Sequence, residues 1–144
     1  MALLSDQDRR VVREHLAVLR QPVTLLLFTQ TIGAPETALI ARQVLDEVAS
    51  LNELIRVEEV NFILERERAI QYGIEYIPSI VLLSGEEDTR MRFVGAPAGY
   101  EFMSLIEAVI LAGTNDSQLT PESRALITAH VSAPVDIQVF VTPT

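Results

Sequence analysis

Few side chains in this sequence are equipped for covalent or metal chemistry, and the shortage is informative. There is no cysteine and no lysine among the 144 residues. That removes thiolate catalysis, disulfides, iron–sulfur and zinc–thiolate centres, Schiff-base chemistry and a P-loop lysine. The two histidines, His15 and His130, both fall in segments of helical periodicity, which suits a structural place better than a pair of catalytic bases. Glu86, Glu87 and Asp88 offer oxygens to a hard cation, but three adjacent carboxylates lack the spacing of a calcium loop and read as a soluble hairpin tip. Glu65, Arg66, Glu67 and Arg68 alternate in sign, the pattern of a solvated face. Gly95 to Gly99, with Pro97 between them, leads into a helix N-terminus that can hold an anion, yet matches no phosphate fingerprint. No acidic pair has surroundings that would drive two pKa values apart, so carboxylate acid–base catalysis finds no support. Neither a metal nor a cofactor is expected.

Charge narrows the partners further. Twenty acidic residues face 11 basic ones, all arginine, for a net charge of −9. A nucleic-acid groove needs a clustered positive field, which this balance does not provide. Apolar residues make up 49% and charged residues 22%, the composition of a soluble globular domain. No apolar run approaches the ~18 residues of a membrane span, and Val23 to Phe28 has the length of a strand. The start, MALLSDQDRR, has no basic segment ahead of a long apolar one, so a cytoplasmic location is the expectation.

The elements that would position any site follow from periodicity. Residues 5–19 predict a helix capped by Ser5, with Val11, Val12, His15, Leu16 and Leu19 on one face. After Pro22 the run VTLLLF reads as a central strand covered on both faces, ending near Thr29. A loop with Gly33 and Pro35 leads into a helix from about Pro35 or Glu36 to Ser50, with Leu39, Ile40, Leu45 and Val48 inward. Residues 55–62 predict a second strand, and ERERAIQYG a short helix closed by Gly73. Ile77-Pro78 precedes a third strand, SIVLLS. The turn Gly85-Glu86-Glu87-Asp88 joins it to an antiparallel partner, RMRFVG, and residues 99–112 close the unit as an apolar helix. The order predicts an α/β fold, a four-stranded mixed sheet flanked by helices, with an extra helix in front. That topology resembles the thioredoxin superfamily.

The remainder repeats the beginning. Residues 114–119 form a polar connector, and Thr120 and Pro121 open a helix running to about Val131. QPVTLLLFTQT at 21–31 matches APVDIQVFVTPT at 133–144, with Pro22 over Pro134, Val23 over Val135 and Phe28 over Phe140. Arg9, Val11, Val12, His15 and Leu16 fall over Arg124, Leu126, Ile127, His130 and Val131. The expected organisation is a complete unit over 1–113, a linker over 114–119, and over 120–144 the first helix and strand of a second, truncated unit.

The segments MALLSDQDRRVVREHL, RFVGAPAGYEFMSLIEAVILAG and VDIQVFVTPT carry a closer resemblance. The chain is similar to the first part of the glutaredoxin-like protein disulfide oxidoreductases, which join two thioredoxin-fold units in tandem. It also resembles the N-terminal domain of the flavoprotein subunit of alkyl hydroperoxide reductase, another tandem pair. The resemblance implies a Cys-x-x-Cys pair at the start of the first helix after the first strand, where the helix dipole stabilises a thiolate. The matching positions are Ala34 and Thr37, and neither can exchange thiols. It also implies that Pro78 is cis and that Ile77 offers its backbone to an extended peptide. In a cysteine-free unit the expectation is that this turn persists to define the fold. In the tandem families VFVTPT-like strands are followed at once by the second unit's Cys-x-x-Cys, so the sequence implies a silent first unit. Its expected partners are a second thioredoxin-like unit and protein disulfide substrates. The alternative is a stand-alone binding or scaffold protein that associates with another copy through its C-terminal strand.

Overall fold

The computed structural model describes residues 3–142. Nine elements follow one another among them: α1 (Asp6–Leu16), β1 (Val23–Thr29), α2 (Glu36–Ala49), β2 (Ile55–Asn61), α3 (Arg66–Gln71), β3 (Ser79–Ser84), β4 (Glu87–Val94), α4 (Glu101–Thr114) and α5 (Pro121–His130). The strands form one mixed sheet in the order β2-β1-β3-β4. β1 runs parallel to β2, with Val23 opposite Ile55, and antiparallel to β3, with Phe28 opposite Ser79. A parallel step requires a crossover, and α2 supplies it. β3 and β4 pair antiparallel as a hairpin. The architecture is the thioredoxin-like one that the order of elements predicts.

The two inner strands are apolar at nearly every position because both of their faces are covered. Val23, Leu25, Leu27, Ile80 and Leu82 face the larger core, built with α1, α2 and α4. Leu26, Phe28, Val81 and Leu83 face the smaller one, closed by Ala69 and Ile74 around α3. Each such fully buried side chain contributes on the order of 1.5–3 kcal/mol relative to exposure. The outer strand β2 carries Arg56, Glu58 and Glu59, the charge that discourages edge-to-edge association. Arg42 on α2 pairs with Glu59, and Arg68 on α3 pairs with Glu58, so each sheet face is tied to its helix at this edge.

α1 starts where its cap predicts, with the Ser5 hydroxyl accepting the Asp8 N–H at 3.1 Å. It ends at Leu16, three residues before the expected limit, where Asn52 Nδ2 donates to the Leu16 carbonyl at 2.9 Å. Arg9 forms an ion pair with the nearly buried Glu47 and fastens α1 to α2.

Several expectations are corrected. Val11 and His15 lie outside the buried face of α1, which consists of Val12 and Leu16. On α2 the inward stripe is Ala38, Ala41, Val44, Leu45 and Val48, and Leu39 is 62% exposed with Ile40 beside it. The two alanines bring the helix close to the sheet, which turns the larger Leu39 and Ile40 outward. β4 begins at Glu87, paired with Ser84, so the hairpin turn is only Gly85-Glu86. Gly85 has φ +60°, a conformation that glycine takes without a Cβ penalty. α4 continues to Thr114, into the expected linker. The anticipated C-terminal strand carries no ladder from Pro134 to Val141, and an extended segment becomes a strand only when a second strand pairs along it. The ends of the resembling segments, Met1, Ala2, Pro143 and Thr144, lie outside the described residues, as does the expected junction after Thr144.

Candidate functional site

The pairings Thr29↔Asn61, Phe28↔Ser79 and Ser79↔Val94 bring four connections to one end of the sheet. These are the loop 30–35 after β1, the segment 62–65 after β2, the turn 76–78 before β3 and the loop 95–100 after β4. Of the positions that the resemblance singles out, Ala34, Ile77 and Pro78 lie in these connections and Thr37 just after the first of them, beyond the end of the central parallel strand.

Ala34 stands just ahead of Pro35, the N-cap of α2, and Thr37 lies in the first helical turn. Both are exposed. The loop is shaped locally, with Gly33 at φ +71° and Gln30 Nε2 donating to the Gly33 carbonyl at 3.1 Å. The Thr37 hydroxyl makes no hydrogen bond among the described residues, so nothing there activates it. At the same end of the sheet, Ile77-Pro78 is a cis peptide bond. Pro78 is buried and its carbonyl accepts the Gly95 N–H at 2.8 Å, while Ser79 Oγ donates to the Tyr76 carbonyl at 2.6 Å. The backbone N–H and C=O of Ile77 have no partner among the described residues. They leave a donor and an acceptor open in the turn, which is what an extended peptide needs for strand-like pairing.

Around these positions lies an apolar rim that periodicity does not reveal. Ile32 is 88% exposed and Tyr100 85%, and Ile63, Leu64 and Tyr76 are also largely uncovered. Their only sequence mark is that large apolar residues sit inside loop segments, where packing gives no reason for them.

Among the charged candidates, Glu65, Arg66, Arg68 and Asp88 make contacts within the fold, while Glu67, Glu86 and Glu87 are exposed. Arg68 pairs with Glu65 at 3.3 Å, Arg66 lies over the Phe62 ring at 5.2 Å, and Glu65 Oε2 accepts the Asn61 N–H at 2.9 Å. That N–H, and then Arg68, hold the Glu65 carboxyl below its ordinary pKa. Arg66 and Glu67 are exposed, as the alternation predicts, while Glu65 and Arg68 also tie α3 to β2. Asp88 is taken up by Arg92 at 2.7 Å and by the Arg90 N–H at 2.8 Å, chiefly the former holding its carboxyl below the usual range. Arg92 also donates to the Tyr72 carbonyl at the end of α3. Glu86, Glu87 and Asp88 therefore do not converge, and no group of three acidic or histidine side chains placed to hold a metal occurs among the described residues. His15 and His130 are both exposed, on α1 and α5. No helix among the described residues is long and apolar enough to cross a membrane.

No family model matches the chain. Among solved structures it is similar to the alkylhydroperoxide reductase AhpF of Enterococcus faecalis, with 32% identity and a TM-score of 0.80. That match covers 88% of this chain and 60% of the other. A protein disulfide oxidoreductase from Aeropyrum pernix shares the fold at a TM-score of 0.74 and 22% identity, with 90% of this chain and 56% of that one covered. The chain thus spans little more than half the length of either. Two curated relatives, from Methanothermobacter thermautotrophicus and Methanothermobacter marburgensis, are each described as a probable thioredoxin. Each is 34% identical over 68 residues, which is 46% of this chain and 74% of the relative. Taken with the sheet order and the turn before β3, these relatives establish that the chain belongs to the thioredoxin family.

Proposed function

We propose that the chain is the silent N-terminal unit of a glutaredoxin-like, two-unit thiol–disulfide oxidoreductase of the cytoplasm, with the active Cys-x-x-Cys pair beyond Thr144. The observation that carries this reading is a repeat whose second copy has the caps of the first but not its cover. Ser5 and Thr120 occupy the same repeat position, and each hydroxyl accepts the N–H three residues on. Val12 and Leu16 are buried, yet their equivalents Ile127 and Val131 are 47% and 49% exposed. Phe28 is fully buried, and its equivalent Phe140 is 89% exposed. A second sheet with its own helices would cover these side chains as the first unit covers α1 and β1. The likeness to the reductase points the same way. Its 88% share of this chain exceeds what residues up to the end of α4 can supply, so the match reaches into the segment that follows.

Such a protein would reduce, form or isomerise disulfides. In reduction the thiolate of the second unit attacks a substrate disulfide and its neighbouring thiol resolves the mixed disulfide, passing two electrons to the substrate, and the reverse exchange forms a disulfide. The unit described here, without cysteine, takes no part in the transfer. It packs beside the active unit and shapes the substrate face, with Ile77 and Pro78 as the place where an extended peptide would lie. For this cysteine-free unit we read the turn first as a fold-defining element, since Pro78 is buried and bonded to Gly95. No nucleic acid, membrane, metal or cofactor enters the proposal.

The test is the coding region past Thr144, with the intact mass of the native protein and its dithiol-dependent reduction of a protein disulfide. A downstream Cys-x-x-Cys with exchange activity is the expected result, and a native protein ending at Thr144 would overturn it. In that second case the exposed Ile137, Val139 and Phe140 favour a stand-alone binding protein that associates with another copy through this segment. Sedimentation equilibrium would then show a mass that rises with concentration.

A further inference from the structure

The connector between α4 and α5 reads in sequence as a polar linker, but it is built as a series of closed turns. Asn115 caps α4 in the left-handed region, φ +53°, with its N–H on the Leu111 carbonyl at 2.9 Å. Asp116 Oδ1 accepts the Gln118 N–H at 2.9 Å, and Gln118 is itself left-handed at φ +59°. Ser117 Oγ accepts the Leu119 N–H at 3.4 Å. Thr120 then caps α5 by accepting the Ser123 N–H at 3.2 Å. Non-glycine residues adopt the left-handed region at a cost, and a flexible linker has no reason to hold two of them within four residues.

One side chain closes the whole segment. Arg124, in the first turn of α5, reaches back with Nη2 to Asp116 Oδ1 at 2.6 Å and with Nε to the Leu119 carbonyl at 3.0 Å. A guanidinium engages two acceptors at once in a fixed geometry, which a point-charge ammonium does not. The Asp116 carboxyl is held below its ordinary pKa by the Gln118 N–H and by Arg124, so it is ionised at neutral pH.

We infer that residues 115–120 form a fixed elbow, latched by Arg124 across Asp116 and Leu119, that sets the direction in which α5 leaves the first unit. The elbow stands on residues of this chain alone. Its consequence, that it aims a second unit, rests on the two-unit reading above.

These 144 residues hold no cysteine, so once any pair beyond Thr144 is replaced by alanine, spin labels attach only where cysteines are introduced. Ser104→Cys on α4 and Thr128→Cys on α5, both exposed positions, report the distance across the elbow by pulsed electron resonance. A Gln43→Cys and Ser104→Cys pair within the first unit is the control and stays narrow in every variant that remains folded. The expected result is one narrow distance across the elbow, lost to a broad distribution in both Arg124→Ala and Asp116→Ala while the control is unchanged. A broad distribution in the parent chain, or a narrow one that survives either substitution, overturns the inference. A longer protein that exchanges disulfides but shows a broad elbow distance would overturn the elbow and leave the two-unit reading intact. A narrow elbow in a native protein ending at Thr144 would do the reverse.

Discussion

Gly113 poses a competition between helix propensity and packing that magnitudes decide. It lies one residue before the end of α4, within the helix, and its backbone φ is not left-handed. An alanine there gains about 0.5–1 kcal/mol in a helix interior. Against this, a Cβ at Gly113 would collide with Leu19 Cδ2 and lie 3.1 Å from Val23 Cγ2. Neither neighbour can yield freely, because Leu19 is nearly buried and Val23 is wholly so. The helix cannot retreat either, since the Gly113 carbonyl accepts the N–H groups of Arg20 at 2.9 Å and Gln21 at 3.2 Å. Overpacking a filled core costs typically 1–3 kcal/mol, so Gly113→Ala is expected to destabilise by about 1–2 kcal/mol net. Urea unfolding followed by circular dichroism measures this as a lower midpoint at unchanged slope. The decisive assay is a double-mutant cycle with Leu19→Ala, which removes the closest clash and leaves only Val23 Cγ2 at 3.1 Å. In that background Gly113→Ala should cost about 1 kcal/mol less than it does in the parent chain. Equal effects of Gly113→Ala with and without Leu19 would refute the close-approach argument.

Three further perturbations separate structure from repeat. Phe28→Ala should cost about 3–5 kcal/mol in urea unfolding, whereas Phe140→Ala, at the equivalent repeat position, should change stability by less than about 0.5 kcal/mol in this chain. Comparable losses would mean that the tail packs. Arg9→Ala leaves the nearly buried Glu47 carboxylate without its cation, and a loss of about 1.5–3 kcal/mol is expected in the same measurement. Asp88 has a folded pKa lowered chiefly by Arg92, so its stabilisation is present above its unfolded pKa of about 3.9 and is lost as pH falls through the folded value. Because the pair is partly exposed, Asp88→Asn should lower stability at pH 7 by no more than about 1 kcal/mol and flatten the acid limb of a pH–stability curve.

Much of the fold is legible in the sequence because the two periodicities of the chain are clean. VTLLLF and SIVLLS are apolar without alternation, and the structure puts them in the centre of the sheet as β1 and β3. Ser5, Gly73 and Thr120 mark helix ends by local chemistry that acts within a turn, and all three lie where that chemistry predicts. Expectation and structure part where tertiary packing outweighs residue size. Leu39 and Ile40 face outward because Ala38 and Ala41 let α2 approach the sheet more closely than a leucine would. The hairpin turn is shorter than its acidic run suggests, because Ser84 pairs with Glu87 and Leu83 with Asp88 across a two-residue turn that the left-handed Gly85 allows. At the candidate site Ala34, Thr37 and Pro78 can be located by counting along the fold. The rim of Ile32, Leu64, Tyr76 and Tyr100 cannot, because loop residues far apart in sequence reach the same end of the sheet only through strand register.

What the cysteine-free end of the sheet retains can be sorted by asking which groups the fold itself consumes. The Pro78 carbonyl is taken by Gly95, the Tyr76 carbonyl by Ser79, and Pro78 is buried. A sheet of this topology would keep that turn with no substrate at all, so its presence says nothing of chemistry. The Ile77 backbone is different, because its donor and acceptor serve no other group among the described residues. The exposed Ile32 and Tyr100 are different too, since apolar side chains so far out of the core gain nothing from folding. On the two-unit reading, then, a unit without the thiol pair lacks the reaction but keeps groups that the fold does not need. If the proposed active neighbour lies beside it, the apolar rim and the one open backbone position would be the groups of this unit left for a polypeptide to meet.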